Sequence, residues 1–70
     1  MLKLDPAVGI AIRLARRTAG LSQVKLARAC GVAVHRIVAI EQGSDFTVEL
    51  LLAIVRVLPA LRPPGGTAAY

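Results

Sequence analysis

Eight residues between positions 23 and 40 constrain this chain more than anything else in it. They are Gln23, Leu26, Ala27, Cys30, Gly31, Val32, Ile37 and Ile40. Their spacing predicts a short helix, a tight turn at Gly31 and a second short helix. Ser22 precedes the first of these helices and can cap it by accepting a backbone N–H. Leu26 and Cys30 lie four apart and share a face. Ala27 is small where two helices would cross closely. Gly31 stands where the chain must leave the first helix, a position that favours the left-handed conformation. Val32 is an apolar plug after the turn, and Ile37 and Ile40, three apart, face inward together. Cys30 reads as a small buried apolar residue. Two helices joined by such a turn form the DNA-binding helix-turn-helix, whose second helix enters the major groove.

The flanking sequence supplies two more helices. Asp5 and Pro6 suit the N-cap and first position of a helix carrying Val8, Ala11, Ile12 and Ala15 at helical spacing. Arg13, Arg16 and Arg17 would project from its other faces, and Gly20 would end it. The third helix is expected from about Val34 to Gln42, stopping at Gly43, with Ser44-Asp45 as a loop. Thr47 can cap a fourth helix, with Glu49 favourably placed near its N-terminus and Phe46 stapled against Leu51. Pro59 ends or kinks it, and a short fifth turn can follow near Leu61. No strand pattern is evident. The expected fold class is all-α, a compact four- to five-helix domain spanning residues 1–61, with the helix-turn-helix at about 22–42. The stretch 62–70 has linker composition and is expected to be a flexible tail.

Seventy residues make one small domain that buries only about 60% of its unfolded surface, so a dimer partner would help. Nine Lys and Arg against four Asp and Glu give a net charge of +5, and the pI near 10.8 suits a nucleic-acid binder. Phe46 and Tyr70 are the two aromatic residues, too few for the stacking platforms that hold single strands and RNA. One cysteine excludes an internal disulfide and offers no metal cluster. His35 has no second His or acid at ligand spacing. One His, one Cys and no phosphate-cradling glycine motif also argue against an enzyme. The longest apolar stretch, Leu50 to Val55, is too short to span a bilayer. No export signal precedes Asp5-Pro6, so a cytoplasmic location is expected.

Taken together, Gly9, Ile12, Ala15-Arg16, Gly20-Leu21-Ser22-Gln23, Leu26-Ala27, Gly31-Val32, Ile37, Glu41-Gln42-Gly43, Leu51 and Leu58 resemble the lambda-repressor-like (XRE/Cro-type) helix-turn-helix regulators over residues 8 to 58. Residues 43–47, running into an apolar helix, resemble the antitoxin-like subgroup. The resemblance implies a DNA-binding transcriptional regulator. It also implies that Gln23 contacts backbone phosphate, as such a glutamine sometimes does the first base pair too, and that Arg16 and Glu41 form a structural pair locking the first helix to the third. An acid at the end of a recognition helix repels phosphate unless a cation neutralises it, which agrees.

With Ile37 and Ile40 inward, the outer side of the third helix shows Val34, His35, Val38, Ala39 and Gln42, with Arg36 at its edge. Relatives usually carry more polar residues there, and Ala33 replaces the usual capping Ser or Thr. Apolar groups can still contact a thymine methyl, and Arg36 would suit phosphate or guanine. Lys25 and Arg28, and Arg16 itself, could reach phosphates, positioning the protein without reading sequence. In the fourth helix, Val48, Leu51, Leu52, Val55 and Leu58 form a stripe expected to close the core. Leu50, Ile54, Val57 and Leu61 form a second, expected to be a dimer interface. The expected function is therefore that of a small dimeric repressor, autoregulating, on a palindromic double-stranded operator. The alternative is a protein-binding module, or an antitoxin-like partner of a toxin, with weak or no specific DNA binding. No cofactor and no membrane partner are expected.

Overall fold

A computed structural model describes residues 2–3 and 6–62, with the backbone alone at 2, 3, 45 and 46. Four α-helices build it: α1 (Pro6–Thr18), α2 (Gln23–Cys30), α3 (Val34–Glu41) and α4 (Val48–Val57), followed by a 3-10 turn at Pro59–Leu61. The fold is all-α, with one small departure from the sequence-based expectation. Residues 45–46 do not simply loop: they pair antiparallel with residues 2–3, Leu2 opposite Phe46 and Lys3 opposite Asp45. Two-residue strands leave no alternating pattern to read. Asp5, expected as the first N-cap, lies outside the described residues, as do the side chain of Phe46 and residues 63–70.

Local chemistry explains the helix boundaries. The Ser22 hydroxyl accepts from the Lys25 N–H at 3.1 Å, and the Thr47 hydroxyl accepts from the Leu50 N–H at 3.2 Å. Each satisfies an N–H that the first turn leaves without a helical partner. Gly31 ends α2 at φ 72° and donates its N–H back to the Ala27 and Arg28 carbonyls, a left-handed conformation that costs a residue with a Cβ. At the far end, Arg62 reaches back to the Val55 and Arg56 carbonyls, where a cation complements the helix dipole.

The core is Ile12, Ala15, Leu26, Ala27, Ile37, Ile40, Leu50, Ile54 and Leu58. Leu21, Cys30, Val32, Leu51, Val57 and Leu61 pack against it. Cys30, expected buried, is half-buried. On α1 the inward row is Gly9, Ile12, Ala15 and Arg16, whereas Val8 is 36% exposed. Arg16 thus faces inward rather than outward. Gly9 matters for a steric reason: a Cβ there would lie 2.5 Å from the Glu41 carbonyl oxygen and 2.8 Å from that of Ile40. The backbones of α1 and α3 touch at this point.

On α4 both apolar stripes contribute to the core: Leu58 is buried and Leu51 packs against it as expected. Leu50 and Ile54, expected at a dimer interface, are closed into the core of the single chain, and Val57 and Leu61 pack against that core half-buried. Val48 and Leu52, expected inside, are 57% and 52% exposed. The reason is that α4 is apolar nearly all round. Periodicity offered two faces, and the packing of α2 and the Pro59–Leu61 turn closed over Leu50 and Ile54 of one stripe and Leu58 of the other. Beside the exposed face runs an apolar groove of about 310 Å³, lined by Ala7, Val8, Ala11, Leu51, Val55 and Leu61 over Ile12.

Candidate nucleic-acid interface

The interface is built on one buried charge network. Glu41, on the last turn of α3, is 4% exposed. Its Oε2 accepts from Arg16 Nε at 2.6 Å, and its Oε1 from Arg16 Nη2 at 3.1 Å. This two-pronged fork is the geometry in which Arg–carboxylate pairs are strongest. The remaining guanidinium nitrogen, Nη1, donates to the Leu21 carbonyl at 2.9 Å. Arg16 therefore links α1, the turn before α2, and the end of α3. Its hydrogen bonds to Glu41 hold its pKa above the ordinary arginine value, although burial works the other way. Arg13, at 3.9 Å from Glu41 Oε1 and largely solvated, adds a weaker attraction.

This arrangement turns the Arg16 guanidinium, expected also to reach a phosphate, toward the inside of the protein. All three of its nitrogens are engaged inside the protein, and its side chain is only 10% exposed. A buried carboxylate would otherwise stand uncompensated, and Arg16 is the buried cation that meets it from α1.

Gln23, half-buried at the start of α2, donates its Nε2 to Glu41 Oε1 at 3.2 Å. A carboxylate only accepts, so the NH₂ side of the amide must face it. The amide then keeps one N–H and its carbonyl oxygen for any other contact. Sequence reasoning placed Gln23 at the interface but did not find this anchor, whose signal was the Glu41 position itself.

Arg36 is turned toward α4. It is half-buried, and its Nη2 donates to the Thr47 hydroxyl at 3.1 Å. The one oxygen of Thr47 thus receives both the Leu50 N–H and a side chain from α3. The residues left along the outer side of α3 are His35 and Gln42, both exposed, Val34 at 39% exposure, and Val38 and Ala39, half-buried. The α3 N-cap is Ala33, which makes no side-chain cap bond. Lys25 and Arg28 stand exposed on α2, as does Arg17 on α1. Among the described residues, no group of three or more His, Cys, Asp and Glu could hold a metal ion, and no helix is long and apolar enough to cross a membrane.

A helix-turn-helix family model matches residues 12–63, most of the chain and all of the α2–turn–α3 unit. The chain belongs to the XRE/lambda-repressor-like helix-turn-helix family. This is a DNA-binding, non-enzymatic domain family. It makes the protein a DNA-binding helix-turn-helix regulator with double-stranded DNA as its partner. No curated protein matches the sequence.

Proposed function

We propose that the protein is a small dimeric, sequence-specific repressor that binds a palindromic operator at its own promoter. The observation that carries the reading is the rigid mounting of α2 and α3. The Arg16–Glu41 fork and the Gln23 bond hold the two helices against α1, while one side of α3 stays in solvent. A reading surface fixed before binding loses little freedom on docking. In this reading Val34, His35, Val38, Ala39 and Gln42 face base edges, Gln23 contacts the backbone and the first base pair, and Lys25 and Arg28 lie near phosphates. The net charge of +5 supplies the salt-dependent attraction common to duplex binders. Val48 and Leu52 on α4, together with the neighbouring groove, provide the apolar surface for a subunit contact.

Fluorescence anisotropy tests this, using duplex from immediately upstream of the protein's gene, a scrambled duplex and a salt series. The expected result is a preference of roughly a hundredfold or more for the upstream duplex, weakening steeply with salt. Equal weak binding to both duplexes would overturn the operator assignment. It would favour a second reading, in which the largely apolar outer side of α3 takes a protein partner.

A further inference from the structure

We infer that Val34 is a specificity determinant that reads the C5-methyl group of a thymine in the major groove. The inference rests on the proposed operator-binding reading and adds to it a base and an atom. Three observations carry it.

The first is a subtraction. Two arginines near α3 already have partners inside the protein. Arg16 spends every nitrogen inside the protein, and Arg36 is half-buried against Thr47. The outer side of α3 carries no lysine or acid, and its one arginine, Arg36, is half-buried at the edge with one nitrogen on Thr47. The exposed polar groups it offers are those of His35 and Gln42.

The second is position. In this motif the N-terminal residues of the second helix reach base edges, and Val34 is the first residue of α3. It is the large apolar side chain on that helix most open to solvent, at 39% exposure. Val38 stands one turn behind it on the same face and is half-buried. The branched end of Val34 thus leads a short apolar row toward any duplex.

The third is that folding does not require a valine here. Val34 belongs neither to the core nor to the residues packed against it. A β-branched residue is a mediocre helix former. In the major groove each base edge shows donors and acceptors, and thymine alone adds a methyl group. A valine placed against a donor or acceptor leaves that group without a partner. Against the thymine methyl it removes apolar surface from water on both sides.

The test uses the full chain and duplexes selected by it from a random 20-base-pair library. Each thymine of the selected site is replaced singly by deoxyuridine, which deletes the methyl and preserves pairing. Affinity is read by anisotropy for the wild type and Val34→Ala. The expected result is a fall of about fourfold at one thymine position in each half-site, the worth of one buried methyl-sized group. In Val34→Ala, whose helix content by circular dichroism should match the wild type, deoxyuridine at that position should have no further effect. A selected duplex whose thymines all tolerate deoxyuridine would overturn the inference while leaving operator binding intact. Unchanged deoxyuridine sensitivity in Val34→Ala would overturn the assignment to Val34. A library from which nothing is enriched would overturn the operator reading, and this inference with it.

Discussion

Replacing Gly9 by alanine gives a sharp test of how α1 and α3 meet. In an exposed helix the change stabilises by about 1 kcal/mol, because glycine is a poor helix former. Here the new Cβ lies 2.5 Å from the Glu41 carbonyl oxygen and 2.8 Å from that of Ile40. An ordinary carbon–oxygen contact is 3.4 Å or more, so the helices must separate by nearly an ångström. Neither oxygen belongs to a flexible side chain, and the Ile40 carbonyl already accepts the Gly43 N–H at 3.1 Å. Overpacking of this kind costs about 1–3 kcal/mol, and lifting α1 also pulls Arg16 from Glu41. Subtracting the helix-propensity gain leaves about 0–2 kcal/mol, and the disturbed Arg16–Glu41 pair adds to it, so we expect a net loss of about 1–2 kcal/mol. For a domain of this size that lowers Tm by roughly 5–15 °C. Thermal and urea unfolding followed by circular dichroism at the helix band would measure it. A Gly9→Ala variant as stable as the wild type, or more so, would refute the close crossing.

Three further outcomes are expected. Arg16→Met leaves Glu41 buried without its main cation and costs about 3 kcal/mol, the lower end of the range for a broken buried pair, because Arg13 and Gln23 remain nearby. Urea unfolding of that variant beside Arg16→Met/Glu41→Leu should show the double change recovering most of the loss. Ile54→Glu should unfold the chain while Leu52→Glu leaves its circular dichroism intact, and sedimentation should show Leu52→Glu as a monomer under conditions where the wild type associates; the reverse pattern of folding would mean the faces of α4 are misassigned. Burial pushes the Cys30 thiol pKa up, so less thiolate exists at pH 8 than in the unfolded chain. Alkylation by iodoacetamide should accordingly be slower in the native protein than in urea, and equal rates would contradict that environment.

What could be read ahead of the structure was mostly what short-range chemistry decides. Ser22, Gly31 and Thr47 act through bonds to residues three or four positions away, so their roles were visible in a one-dimensional pattern. The inward direction of Leu26, Ile37 and Ile40 was likewise carried by spacing. Residues whose roles depend on another element were harder. The bond from Arg36 to Thr47, eleven positions on, could not be read from spacing within α3. Arg16 was recognised as the partner of Glu41, but its bond to the Leu21 carbonyl, made across the turn before α2, was not. The α4 stripes failed for a different reason. With apolar residues on nearly every side, the sequence contains no polar face to choose by, and the choice passes to whichever neighbour packs first.

The shared oxygen of Thr47 has a consequence for operator architecture. It ties the start of α4 to a side chain of α3, so the helix proposed for the subunit contact and the helix proposed for the groove are coupled through it. In a dimer joined through α4, the assembly is a calliper with a locked jaw. One base pair inserted between half-sites turns the second site by about 35° around the duplex axis. A hinged protein could follow that rotation, whereas a dimer of this chain joined through α4, with α3 and α4 also set in the common core of Ile37, Ile40, Leu50 and Ile54, would give up a half-site.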